Sequence, residues 1–139
     1  MSDTRIPIGI AVVEHVKQFL IGVRGNDGPL AGCAEFPGGK CRPGEAPAAC
    51  AVRECEEETG LRVSIVEPLF HGPYDYPHAL VDLHFFLCRP TNADHVHSRQ
   101  ERFEWIAPGQ LAELKFPPAN RPVIELLIKR AARSNPNSM

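Results

Sequence analysis

The chain has 139 residues, of which 43% are hydrophobic and 23% charged, with a formal net charge of -2. That length fits one domain, residues 1–139, large enough to bury a real core, and the composition is that of an ordinary globular protein. The charge balance argues against a polymeric nucleic-acid partner, which needs a basic footprint, while leaving room for a mononucleotide whose phosphates a metal ion screens.

Residues 6–14, IPIGIAVVE, predict a first strand, dense enough in apolar side chains for a partly buried place in a sheet. FLIGV at 19–23 predicts a second, and the few residues between them suit a hairpin turn. Residues 25–32, GNDGPLAG, form a loop. Residues 34–36 give a short strand that runs into Pro37, Gly38 and Gly39, which are expected to deny the chain regular pairing. A helix follows over 47–59. Pro47 is tolerated in its first turn, where an amide hydrogen has no intrahelical partner, and Gly60 suits the stop. Ala48, Ala49, Val52 and Cys55 are its expected inward stripe, small enough for close approach to a sheet.

Residues 62–70 predict another strand and 71–79 a loop. Over 80–88, Val81, Leu83, Phe85 and Leu87 alternate with Asp82, His84 and Phe86, so one face is expected to be buried and the other to be a polar pocket face. A polar loop at 89–99, a short strand at 103–106 and a helical turn at 110–114 come next. Val123, Ile124, Leu127 and Ile128 mark an amphipathic helix over 120–132. The last residues, 133–139, have little to anchor them and are expected to fray. Strands with interposed helices imply a layered α/β fold.

The cysteines, at 33, 41, 50, 55 and 88, are odd in number and form no CxxC pair. No leader precedes the first strand, and no run reaches the roughly 18 apolar residues of a membrane span. These features predict a reduced, cytoplasmic protein with structural thiols rather than a zinc site, and no membrane association. His95 and His97 read as ordinary loop histidines rather than a metal pair.

The chemistry is concentrated between Gly39 and Leu61, GKCRPGEAPAACAVRECEEETGL. Offsets of three and four put Glu54, Glu57 and Glu58 on one helical face, where like charges repel one another. Either solvent washes that face or a cation sits there. A carboxylate-only donor set suits Mg²⁺ or Mn²⁺. This segment resembles the Nudix box: Gly39, Glu45, Arg53, Glu54, Glu57, Glu58, Gly60 and Leu61 all fall in register, with Cys55 in an aliphatic position where a buried thiol behaves as a small hydrophobe. EFPGGK at 35–40 and FPPANRPV at 116–123 look like the corresponding segments of bacterial MutT-type 8-oxo-dGTP diphosphatases.

The resemblance implies an α/β/α sandwich with a mixed sheet. It also implies hydrolysis of a nucleoside triphosphate to monophosphate and pyrophosphate with Mg²⁺ or Mn²⁺. Within it, Glu54, Glu57, Glu58 and the Gly38 carbonyl are metal ligands, and Arg53 pairs with Glu45 to brace the loop of Gly39 against the helix. The water-activating base is Glu54 or a loop acid before Trp105, with Glu101 preferred to Glu104. Lys40 either meets phosphate or is a surface lysine. Arg24 occupies a base-binding position, with Phe36 near the pocket or simply in the core. Asn120 either reads a purine edge through its amide or caps the last helix.

The loop YPHA at 76–79 departs from the family: Tyr76 keeps an aromatic, but His78 and Ala79 stand where an acid and an arginine are usual. The resemblance implies 8-oxo-dGTP in nucleotide-pool sanitation as substrate, and this departure is what opens the choice of base. CTP, another dNTP or a nucleoside diphosphate derivative is the alternative, as is a nucleotide-binding module without catalysis. A monomer or homodimer is expected.

Overall fold

The computed structural model describes residues 5–24, 31–93, 96 and 102–133. Strand β1 (Ile6–His15) leads into β2 (Gln18–Val23) through a tight turn in which Val16 and Lys17 both take positive φ, 48° and 62°. Short strands β3 (Ala34–Glu35) and β4 (Gly38–Lys40) follow, then helix α1 (Pro47–Thr59), the long strands β5 (Val63–Asp75) and β6 (Leu80–Pro90), β7 (Phe103–Ile106) and the single-turn helix α2 (Pro108–Leu111). A 3-10 turn at Pro118–Asn120 enters α3 (Arg121–Arg133).

The strands form one mixed seven-stranded sheet with the path β3-β2-β1-β6-β5, with β4 paired to β1 and β7 to β2. β1 and β6 run parallel from Ile6↔Val81 to Val13↔Cys88. The early half of β1 takes β4 on its other edge, and its last residues take β2.

Alternation along the strands divides the core in two. Val12, Phe19, Ile21, Leu83 and Phe85 pack with Val123 and Leu127 of α3. Ala11, Val13, Leu20 and Cys88 pack with Ala51 and Cys55 of α1. The sheet is thus the middle layer of an α/β/α sandwich, as the sequence implied.

Three expectations are corrected. Gly38 and Gly39 do pair regularly, as β4 against Ile10 and Gly9. Their lack of side chains lets the ladder form beneath a closely packed helix, since a Cβ on Gly39 would lie 2.5 Å from the Glu54 carboxyl carbon. The expected loop at 71–79 is largely strand: β5 continues to Asp75, with register shifts at Ile65/Glu67 and Pro68/Phe70. Pro68 and Pro73 are tolerated because β5 is the sheet's edge. On α1 the buried residues are Cys50, Ala51, Cys55 and Thr59; Ala49 is exposed, so the inward stripe is rotated from the expected one.

The helix stop at Gly60 is as expected, with φ 77° and its amide donating to the Glu56 carbonyl. All five cysteines are free, four of them buried, and burial pushes the thiols of Cys50 and Cys88 up to about 12. Among the described residues no helix is long and apolar enough to cross a membrane. The expected loop over 25–32 falls mostly outside the described residues, as do His95, His97 and the tail beyond Arg133.

Candidate active site

A cleft of about 680 Å³ lies on the α3 face of the sheet. Its floor is Ile6, Ile8 and Ile10 of β1 with Val81 and Leu83 of β6. The pocket is therefore lined by the apolar side of β6, not by Asp82 and His84 as the alternation suggested. Those two residues alternate with Val81 and Leu83 and so face the other way.

The cleft is also lined by Gly38, Gly39 and Lys40 of β4, by Glu54 and Glu58 of α1, and by Arg24, Phe36, Tyr76 and Asn120. Glu35, His78 and Arg102 also line the cleft, and none had been singled out as a site residue from the sequence.

α1 reaches the cleft because glycine and small side chains lie beneath it. A Cβ on Gly9 would meet the Pro47 carbonyl oxygen at 2.4 Å and the Ala51 nitrogen at 2.8 Å. Arg53 is the hub of the outer side. Its Nε and Nη2 donate to the two Glu45 carboxylate oxygens at 2.8 and 2.9 Å, a bidentate pair. Its Nη1 donates to Glu54 and Glu57, both at 3.1 Å, and Nη2 also reaches the Lys40 carbonyl at 3.3 Å. This fork holds the Glu45 carboxyl down to about 2, with the Arg42 amide adding a third hydrogen bond, and Glu45 in turn raises the Arg53 pKa.

The three helix carboxylates differ in setting. Glu57 has a half-exposed side chain, pairs with Arg53 and Arg42, and is not part of the cleft wall. Glu54 lies over Gly39 with its side chain 18% exposed. Glu58 is the deepest. Burial pushes its carboxyl up to about 7, and the neighbouring charges of Glu35 and Glu54 push the same way against the Gly38 amide, which donates to it at 3.3 Å. Glu54, held by Arg53, and Glu58, held by the Gly38 amide, thus bring two carboxylates together at the cleft. A hard divalent cation fits that donor set.

Phe36 is both things the sequence left open. It is buried, stacks on Phe116 at 5.4 Å and meets Phe85 edge-on at 6.4 Å, yet one side of it lines the cleft. Tyr76 stacks on His78, ring centroids 5.0 Å apart. Arg24 donates to Glu35 at 3.0 Å, and Arg102 pairs with the same carboxylate. Asn120 ends the 3-10 turn, inside a helical run that starts from the extended Pro117. A cap needs the extended position before the helix, which Asn120 does not hold. Glu101 lies outside the described residues, and Glu104 is exposed on β7 and is not among the residues that line the cleft.

A family model described as the NUDIX domain matches residues 3–127. The chain belongs to the NUDIX family. It is 34% identical over 130 residues to the 8-oxo-dGTP diphosphatase of Escherichia coli, covering 91% of this chain and 98% of that protein. It is 26% identical to the CTP pyrophosphohydrolase of the same organism, covering 92% and 96%. Among solved structures, one reported in a study of MutT from Aliivibrio salmonicida and Vibrio cholerae superposes with a TM-score of 0.70 at 26% identity, covering 91% of this chain and 98% of that one. The chain is thus a Nudix pyrophosphohydrolase, an enzyme of the MutT type.

Proposed function

We propose that this Nudix enzyme hydrolyses a nucleoside triphosphate, foremost 8-oxo-dGTP, to the monophosphate and pyrophosphate, as a cytoplasmic nucleotide-pool sanitation activity. The observation that carries the reading is a single cleft lined both by carboxylates and by aromatic, arginine and amide groups. The identity to the E. coli 8-oxo-dGTP diphosphatase supports the choice of base.

Glu54, Glu57, Glu58 and the Gly38 carbonyl would hold Mg²⁺ or Mn²⁺, Glu57 turning in from the helix margin. When bound, the ion supplies phosphate charge neutralisation and lowers the pKa of water. Lys40, exposed beside Gly39, meets phosphate oxygens. Glu54, or Glu101 from its loop, accepts the proton of the attacking water. Arg53 and Glu45 fix the position of Glu54 rather than touch substrate. Tyr76 and Phe36 present ring surface to the base, and Arg24 and Asn120 supply its polar contacts. A monomer or homodimer suffices.

The test is incubation with Mg²⁺ and a panel of nucleotides, with products resolved by chromatography. Conversion of 8-oxo-dGTP to its monophosphate, faster than of dGTP or CTP, is the expected result. Faster turnover of CTP would favour the second reading, which His78 and Ala79 in place of an acid and an arginine, and the relative named a CTP pyrophosphohydrolase, both support.

A further inference from the structure

On the sheet face opposite the cleft, β5 and β6 bring together three groups that the reaction does not use. His71 and His84 are directly opposite in register, and Asp82 lies two residues before His84, on the same face. The two imidazole rings stack, centroids 4.0 Å apart and 17° from parallel. Both Nε2 atoms point at one carboxylate: His71 at 3.0 Å from Oδ1 of Asp82, His84 at 3.5 Å from Oδ2. One donor atom from each residue lies within 4.8 Å of the others.

We propose that His71, Asp82 and His84 form a second metal site, for Zn²⁺ or another late first-row divalent ion, that clips the edge strand β5 to β6. The donor chemistry separates it from the carboxylates of the cleft. Two imidazoles and one carboxylate suit zinc, whereas Mg²⁺ prefers oxygen alone. Three protein ligands leave a fourth position for water. Tetrahedral zinc with bonds of about 2.0–2.1 Å needs donors roughly 3.3 Å apart, so side-chain rotations of modest size close the site.

The fold also explains a use for it. β5 is the sheet's edge and carries two prolines and two register shifts, and a metal at His71 adds a side-chain tie to β6 just beyond the second shift. His71 keeps a 59% exposed side chain, which gives the ion access.

The test uses the full chain without a histidine tag, stripped of metal and kept in excess Mg²⁺ to occupy the cleft carboxylates. Co²⁺ serves as the spectroscopic probe, and Zn²⁺ is followed by calorimetry and thermal melting. One equivalent of Co²⁺ should give the visible bands of a four-coordinate nitrogen and oxygen site, and Zn²⁺ should raise Tm, since it binds only the folded chain. Glu54→Gln should change neither result.

Loss of an outer-shell partner alone weakens metal binding by about 10–100-fold, so His84→Ala should weaken Zn²⁺ by at least about 100-fold. Should His84→Ala misfold, His71→Gln on the exposed edge gives the same reading. The proposal is overturned if Zn²⁺ shows no binding at about 100 µM. It is equally overturned if His71→Gln or His84→Ala binds as tightly as the unmodified chain.

Discussion

Glu45 and Glu58 have carboxyls displaced in opposite directions, and the pH dependence of stability separates them. Glu45 falls from 4.5 to about 2 under Arg53 and the Arg42 amide. Its contribution is therefore present above pH 4.5 and is lost as pH falls toward about 2. Glu45→Gln should lower stability at neutral pH and flatten the acid limb in denaturant melts across that window. Glu58 is raised from 4.5 to about 7, so the folded chain binds more protons than the unfolded one between those values. Its term lowers stability as pH rises through that window. Glu58→Gln should remove this decline, and Mg²⁺ should oppose it in the unmodified chain. A difference profile between Glu58→Gln and the unmodified chain that stays flat from pH 4.5 to 7 would refute the assignment of that shift. On the rate, Glu54→Gln and Glu58→Gln should each lower kcat on the order of 10²-fold, through metal organisation of nucleophile and phosphate. Glu57→Gln, starting from the helix margin, tests whether that carboxylate joins the ion: a full rate at limiting Mg²⁺ would exclude it.

At the scale of elements, two glycines under α1 make contrasting predictions. An added methyl on Gly9 meets backbone atoms of Pro47 and Ala51, which have no room to give. Gly9→Ala should destabilise by about 1–3 kcal/mol through overpacking, read in urea melts. An added methyl on Gly39 meets the Glu54 carboxylate first, the far end of a flexible side chain. Gly39→Ala should therefore spare stability and depress kcat. The β1–β2 turn offers the reverse case. Val16 and Lys17 hold left-handed conformations that asparagine and glycine adopt far more readily. Val16→Asn with Lys17→Gly should raise stability by about 1 kcal/mol. Elements were legible where one pattern dominated. The bounds of α1 followed from Pro47 and Gly60, and β7 from FEWI. β4 and the far half of β5 were not, because glycine and proline signal turns in isolation. Whether they sit at an edge or under a helix is a tertiary fact that no local window contains.

Across the whole molecule, the carboxylates of α1 were easier to relate to one another in the sequence than the other residues that line the cleft. Glu54, Glu57 and Glu58 share one helix, so their spacing alone relates them. Arg24, Phe36, Tyr76 and Asn120 come from four separate segments, and only the sheet brings them to one cleft. Glu35 and Arg102, which join β3 to the start of β7 across that cleft, carried no local signal, since a pair so distant in sequence has no period. The same layout separates the chemistry from the choice of base. The carboxylates stand on α1, on one side of the sheet, while Asn120 stands just ahead of α3, on the other. Asn120→Ala should therefore reduce the ratio of kcat/KM for 8-oxo-dGTP over dGTP by roughly ten- to a hundred-fold, the effect of leaving a desolvated base group unpaired at about 1–3 kcal/mol. Melting should be nearly unchanged, because Asn120 is not at the cap position. Glu54→Gln should slow both nucleotides alike and leave the ratio intact. The double variant should then show the sum of the two effects to within about 0.5 kcal/mol, as independent sites do. A selectivity ratio that survives Asn120→Ala would leave the Nudix chemistry standing and remove the amide from base recognition. A strong coupling in the double variant would show that Glu54 and Asn120 act as one unit.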